Sequence, residues 1–295
     1  MCLSLLTIIG AQAESVTFNV CSWDAKNKSV TITQLTHDCT PIEGQHWDWM
    51  PLGENGKETW YVVKGSDVSR KVLVIFGTVH LVLPDGSKLT CNHIKLEARN
   101  NAILHVHGQS SFPGKLNVIN YSPDGTREYK DAAAIGSGGG EGNGSGSLYV
   151  HSADILAEQE SGKEGLFSKG SNGSAIGGGK RSGIDPSHRV VVYDGSVKAS
   201  GGFDGACIGG GHKGNQGGPV IIYGGSVETV SKAAGNGAGI GGGNDGDGGR
   251  VEIYGGTVVV RNNEYCGAGI GGGDDGNGGD VHIYGGDVKA CHPEG

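Results

Sequence analysis

The sequence predicts an all-β chain wound into a parallel β-helix, and three observations predict it. Glycine fills 59 of the 295 positions, about three times its usual share. A short phrase recurs along the second half: Ala175-Ile176-Gly177-Gly178-Gly179, Cys207-Ile208-Gly209-Gly210-Gly211, Gly239-Ile240-Gly241-Gly242-Gly243 and Gly269-Ile270-Gly271-Gly272-Gly273, with a degenerate first copy at Ala134-Ile135-Gly136-Ser137-Gly138. The third observation is that apolar residues alternate in phase with the glycines, so each copy has one face to bury.

Residues 1–13 read as a secretory leader, a short apolar run (Leu3 to Ile9) followed by the small-x-small site Ala11-Gln12-Ala13. The mature chain is then expected to start near Glu14, and the run is too short to span a bilayer. Residues 14–58 contain Trp23, Trp47 and Trp49 and are expected to form a hairpin cap over the open N-terminal end, because a solenoid exposes core and strand edges at its first coil. Within that segment Cys21 and Cys39 are close enough in sequence to staple a hairpin, which suits an exported protein.

Residues 59–130 carry shorter alternating runs, among them Val72 to Ile75, Val79 to Leu83 and Ile103 to Val106, separated by turn signals such as Pro84-Asp85-Gly86. They read as irregular opening coils. Residues 131–295 are glycine-rich repeats of about 30 residues. The repeated isoleucines fall at 135, 176, 208, 240 and 270, and each is followed by a second phrase: Leu148 to His151 in the earlier copy, then Val190 to Gly195, Val220 to Gly225, Val251 to Gly256 and Val281 to Gly286. A third short strand, such as Thr257 to Val260, completes the unit. One such coil cannot bury its apolar face alone, whereas stacked coils make a continuous core with strands about 4.8 Å apart. The chain stops at Gly295 directly after a repeat, with no C-terminal cap visible, so the expectation is either a truncated sequence or an end that docks onto something else.

Composition excludes some functions. The formal charge is -8, the isoelectric point is near 5.7, and no basic stripe is present to neutralise phosphates, which argues against a nucleic-acid partner. No later transmembrane segment is found. Cysteines at metal-type C-x-x-C spacing are absent, so a structural zinc site of that kind is not expected.

Three sets of residues could carry chemistry. Tyr193, Tyr223, Tyr254 and Tyr284 occupy equivalent positions on successive coils, with His151 beginning the column. Alternation places them outward beside the variable positions Val191, Ile221, Glu252 and His282, making that face the solvent side. Such a ladder offers rings for a sugar to lie on, and its simpler use is to stack on itself and stabilise the solenoid. Asp245 and Asp247, with Asp274 and Asp275, form acidic corners similar to glycine–aspartate calcium loops. The equivalent earlier corners are basic, which favours solvated turns over a calcium ladder. His105 and His107 form a His-x-His pair with His80 available nearby; this spacing can chelate a transition metal given a third ligand, and exposed histidines are the cheaper explanation.

The order of these phrases, from Trp60-Tyr61-Val62-Val63 through Leu104-His105-Val106-His107-Gly108 to the GAGIGGG-type coils at 237–243 and 267–273, resembles secreted or surface β-helix proteins of the pectate-lyase-like superfamily. The resemblance implies a right-handed helix over roughly residues 59–290 and an adhesin-like or carbohydrate-binding role. It carries over no catalytic residues, because no lyase or glycosidase motif is there to match. The functional expectation is a non-enzymatic secreted or cell-surface β-helix that binds a polysaccharide or glycan surface through its outer face, with no cofactor other than a weak calcium candidate. The alternatives are a polysaccharide-active lyase or hydrolase, and a structural stalk for a missing domain.

Overall fold

A computed structural model describes residues 12–110, 113–120, 131–140, 144–159, 171–214, 217–231, 235–262 and 267–291. The expected leader therefore lies outside the described residues except for its last two positions, as do Cys2 and Cys266. The chain is a parallel β-helix, nearly all-β with 61% of residues in strands, and not closed into a barrel. Among the described residues no helix is long and apolar enough to cross a membrane.

Each coil contributes to three walls. The first wall stacks Ile103–Gly108, Ser147–His151, Val190–Val192, Val220–Ile222, Arg250–Ile253 and Asp280–Ile283 in parallel register. The second stacks Lys115–Asn120, Ala153–Gln159, Gly195–Gly201, Ser226–Ser231, Thr257–Arg261 and Asp287–Cys291. The third is made of two-residue strands, Ile135–Gly136, Ile176–Gly177, Ile208–Gly209, Ile240–Gly241 and Ile270–Gly271. The repeated isoleucines thus lie directly over one another, as the repeat predicts.

The core is a set of continuous apolar columns. On the first wall Val79, Leu104, Leu148, Val190, Val220 and Val251 align and are all essentially inaccessible, and Leu81, Val106, Val150, Val192, Ile222 and Ile253 form the next column. Alternation along a strand sends every second side chain inward, so a one-residue slip would expose a whole column. At the last coil Val281 and Ile283 occupy the same columns but remain exposed.

The Ile-Gly phrase has a steric cause. The glycine after each isoleucine has φ between +126° and +151° in the copies at 136, 177, 209, 241 and 271. A Cβ on Gly209 would come 2.0 Å from the carbonyl oxygen of Gly241 on the next coil, and Gly136, Gly177 and Gly241 meet the following glycine's oxygen in the same way. Only glycine permits both that conformation and that approach.

The N-terminal segment has two parts. Strand β1 (Glu14–Asp24) pairs antiparallel with the start of β2 (Ser29–Leu83), from Asp24 opposite Ser29 to Glu14 opposite Cys39. Asp24 accepts hydrogen bonds from the backbone N–H groups of Lys26 (2.9 Å) and Asn27 (3.1 Å), fixing the turn. In the hairpin, β1 runs across the coils on the outer face of the first wall, as its contacts below establish. The stretch that follows, still within residues 14–58, packs into the core. Ile42 and Leu52 insert into the main core, and buried Arg70 donates to the carbonyl oxygens of Glu43 (3.1 Å) and Gly44 (3.0 Å). The rest of β2 supplies the first coil, with Val68 to Val74 pairing to Lys88–Lys95 and Thr78 to Leu83 pairing to Ile103–Gly108.

Two outcomes follow for stability. Gly209→Ala is expected to cost about 3 kcal/mol or more, since it combines a forbidden φ with a backbone clash, whereas Gly278→Ala, whose Cβ would meet nothing within 4 Å, should leave the melting temperature nearly unchanged; thermal denaturation of both variants checks this. His93 is buried with its Nδ1 2.6 Å from the Ala133 carbonyl oxygen, and burial, aided by Lys95 and opposed by that hydrogen bond and by Glu97, lowers its pKa to about 4. The folded state then binds this proton more weakly than the unfolded state. Its contribution to stability is complete above pH 6.5 and is lost as the pH falls toward 4, at up to about 1.4 kcal/mol per pH unit. His93→Gln should flatten that acid limb by one proton's worth in denaturant titrations between pH 4 and 7.

Candidate functional site

The outer face of the first wall carries two aromatic columns. The first follows the strand register through His80, His105 and Tyr149, then Val191, Ile221, Glu252 and His282. The second begins at His107, passes to His151, and continues as Tyr193, Tyr223, Tyr254 and Tyr284, each tyrosine directly following its strand. Centroids from His151 to Tyr193, Tyr223, Tyr254 and Tyr284 are separated by 5.1, 5.3, 5.1 and 4.7 Å, all near-parallel. The stacking distance is the strand spacing itself, so the solenoid sets the ladder and the ladder stiffens the solenoid.

The hairpin clasps this ladder. Phe18 packs on His107 (4.9 Å), the Cys21 N–H donates to His151 Nδ1 (3.0 Å), and Trp23 stacks on Tyr223 (4.7 Å) and lies against Tyr254 (5.2 Å). Solvent exposure therefore grows along the column. Tyr193, Tyr223 and Tyr254 are partly buried, and Tyr284 is 61% exposed. The expectation that the neighbouring column is the solvent side is corrected here: Val191, Ile221 and Glu252 are buried. Glu252 is covered by its own partners, Arg250 at 2.7 Å and the Tyr254 hydroxyl donating from 3.5 Å. Beside Tyr284, His282 Nε2 lies 2.7 Å from Asp280. Burial first, then the Glu252 carboxylate, raises the pKa of the Tyr223 and Tyr254 hydroxyls, keeping them neutral donors.

The histidines are the residues that sequence reasoning undervalued. His80, His105, His107 and His151 come from three consecutive coils and form one stacked block. His80 lies over His105 (4.5 Å), which lies over Tyr149 (4.5 Å), and His107 lies over His151 (4.6 Å). Trp60 covers His80 at 3.7 Å. They are not exposed: His80, His107 and His151 are buried and His105 is half-buried. Burial, reinforced by like neighbours, lowers the pKa of His105 to about 3, while burial alone brings His107 to about 4 against the hydrogen bond to Asn19. Among the described residues, His80, His105 and His107 are the set of three or more metal-ligating side chains whose ligand atoms converge, all within 4.8 Å. The His-x-His spacing was visible in the sequence; the register that brings His80 onto it was not.

The acidic corners lie on exposed turns. Asp245, Asp247, Asp274 and Asp275 are all exposed, and protein groups answer two of them. Lys213 lies 3.7 Å from Asp245, and Asp247 accepts from both the backbone N–H and the side-chain amide of Asn277 at 2.9 Å. Asp245 and Asp275 share the left-handed turn position of Arg181 and Lys213 on earlier coils, so a turn geometry repeats there, indifferent to charge.

The Cys21–Cys39 staple is also corrected. The hairpin forms, but its register sets Cys21 opposite Ile32 and Cys39 opposite Glu14. The two are thus seven residues apart along the ladder, roughly 24 Å, far beyond disulfide reach, and both are free and buried. Comparison with protein-family profiles, curated proteins and solved structures finds no match to this chain.

Burial raises both thiols to about 11. Cys21 and Cys39 should therefore resist alkylation in the folded protein at pH 7.5 and label fully after denaturation without reductant. Peptide mass mapping checks both states.

Proposed function

We propose that this protein is a secreted or cell-surface β-helix that binds carbohydrate polymer, without catalysis, along its tyrosine ladder. One observation carries the reading: Tyr254 and Tyr284 stack at 4.7 Å as a continuous aromatic strip, flanked on its own wall by Arg250, Glu252, Asp280 and His282. An aromatic face for the apolar side of a sugar ring, with charged donors and acceptors beside it, is the usual chemistry of such a site. The strip repeats by translation, which suits a polymer better than a single small ligand. Trp23, held over Tyr223 by the hairpin, extends it.

Membership of the pectate-lyase-like superfamily belongs to the same proposal and rests on the coil phrases. The carboxylates beside the ladder are already engaged, Glu252 by Arg250 and Asp280 by His282. Glycoside hydrolysis needs two carboxyl groups flanking one scissile bond, and these sit on successive rungs of one wall, which favours binding over turnover.

The Tyr254→Ala/Tyr284→Ala double variant is expected to lose about tenfold or more in retention on a binding polysaccharide, since each ring stack is worth about 0.5–1.5 kcal/mol. Trp47→Ala, exposed elsewhere on the N-terminal segment, should bind as the parent does. Affinity electrophoresis against a polysaccharide panel measures this, and failure of the parent to be retarded by any polymer sinks the reading. Release of reducing ends or of unsaturated uronides would instead establish the enzyme alternative.

A further inference from the structure

The histidine block lies apart from the open end of the ladder, and its hydrogen bonds do not balance. His107 Nδ1 is 2.9 Å from the Asn19 carbonyl oxygen, which can only accept, so His107 carries its proton on Nδ1 and presents a bare Nε2. That Nε2 is 2.9 Å from His80 Nδ1. If His80 donates there, its own Nε2 is left bare, and this atom is buried without a hydrogen-bond partner. Its nearest polar neighbour is Glu58 Oε1 at 2.8 Å, outside hydrogen-bonding geometry and itself electron-rich. If His80 instead places its proton on Nε2 toward Glu58, two bare nitrogens face each other at 2.9 Å. Three gaps run from Asn19 through His107 and His80 to Glu58, and two neutral imidazoles supply two protons. One positive centre is missing.

The neighbouring pair has no such deficit. The Cys21 N–H donates to His151 Nδ1, so His151 carries its proton on Nε2 and donates to His105 Nδ1 at 3.0 Å. That chain starts at a donor and closes with neutral rings. The difference arises because β1 offers a carbonyl to His107 at Asn19 and an N–H to His151 at Cys21.

We infer that His80 Nδ1 and His107 Nε2 hold a late first-row transition-metal ion, of the kind imidazole favours, with the exposed Glu58 carboxylate turning into line to accept the hydrogen bond of His80 Nε2–H. On binding, the His80 proton shifts from Nδ1 to Nε2 and the metal takes its place, so no proton is lost from the pair. Zinc–nitrogen bonds of about 2.0–2.1 Å at a tetrahedral angle need the nitrogens about 3.3 Å apart, a small opening from 2.9 Å. The Asn19 carbonyl fixes the His107 tautomer and the Glu58 carboxylate fixes that of His80, as partners of metal-bound histidines generally do. His105, within 4.8 Å, could join only by reversing its link to His151 and opposing the Cys21 N–H. It is therefore the weaker third ligand, with water completing the sphere. A shared extra proton, paired with Glu58, is the competing resolution, and it predicts no zinc binding.

Calorimetric titration of the chelator-treated full chain with Zn²⁺ at pH 7.5 tests the site. The expected result is one ion per chain with micromolar or tighter affinity. His80→Asn and His107→Asn should each abolish it, Glu58→Gln should weaken it about tenfold, and His105→Gln should weaken it less than either ligand variant. Absence of binding at about 100 µM Zn²⁺, or unchanged 1:1 binding in folded His80→Asn or His107→Asn, overturns the inference. Should those buried variants unfold, Glu58→Gln decides, because that side chain is 59% exposed and its replacement leaves the core intact: unchanged affinity in this variant overturns the inference, and a tenfold loss upholds it.

Discussion

Every feature of this protein depends on coil-over-coil register. Parallel strands stacked about 4.8 Å apart put each residue directly over its counterpart on the next coil, so a side chain suited to one position is repeated or replaced in a column. Inside, that yields continuous rows of valine, leucine and isoleucine, none of which a single coil could bury. At the corners the same constraint brings backbone oxygens within about 2 Å of where a Cβ would stand, which is why glycine recurs with the repeat.

The outward columns obey the same geometry with different chemistry. Aromatic rings at strand spacing fall at stacking distance, so a tyrosine at one repeated position becomes a strip of four. Histidines at neighbouring positions on the opening coils become a packed block by the same route. The hairpin of β1 and β2 then divides this face into two environments. It buries the histidine end under Phe18 and Asn19, half-covers the middle with Trp23, and leaves Tyr284 open. The proposed polymer contact lies on the tyrosines, and the proposed ion site lies on the histidines. The two proposals therefore stand on different residues of one wall.

The hairpin also shows where local reasoning reaches its limit. Cys21 and Cys39 look like a staple when only their separation in sequence is considered, yet antiparallel pairing places them far apart on the ladder. Asp245 and Asp275 look like ligands by residue type, yet they occupy a turn position that Arg181 and Lys213 fill equally well. In both cases the residue type was informative only once its neighbours in space were known.

The sequence by itself determined the solenoid, the identity of the repeating positions and the tyrosine column, because a period of about 30 residues and strand alternation are one-dimensional signals of a fold that is nearly one-dimensional. Tertiary structure alone decided that the hairpin lies along the wall, that Val191, Ile221 and Glu252 are covered, and that His80 meets His107 directly, with Glu58 and Asn19 at the two ends of the pair. Those contacts join residues from coils and strands whose separation in the chain follows no period. They are set by where one irregular segment docks, which no repeat encodes.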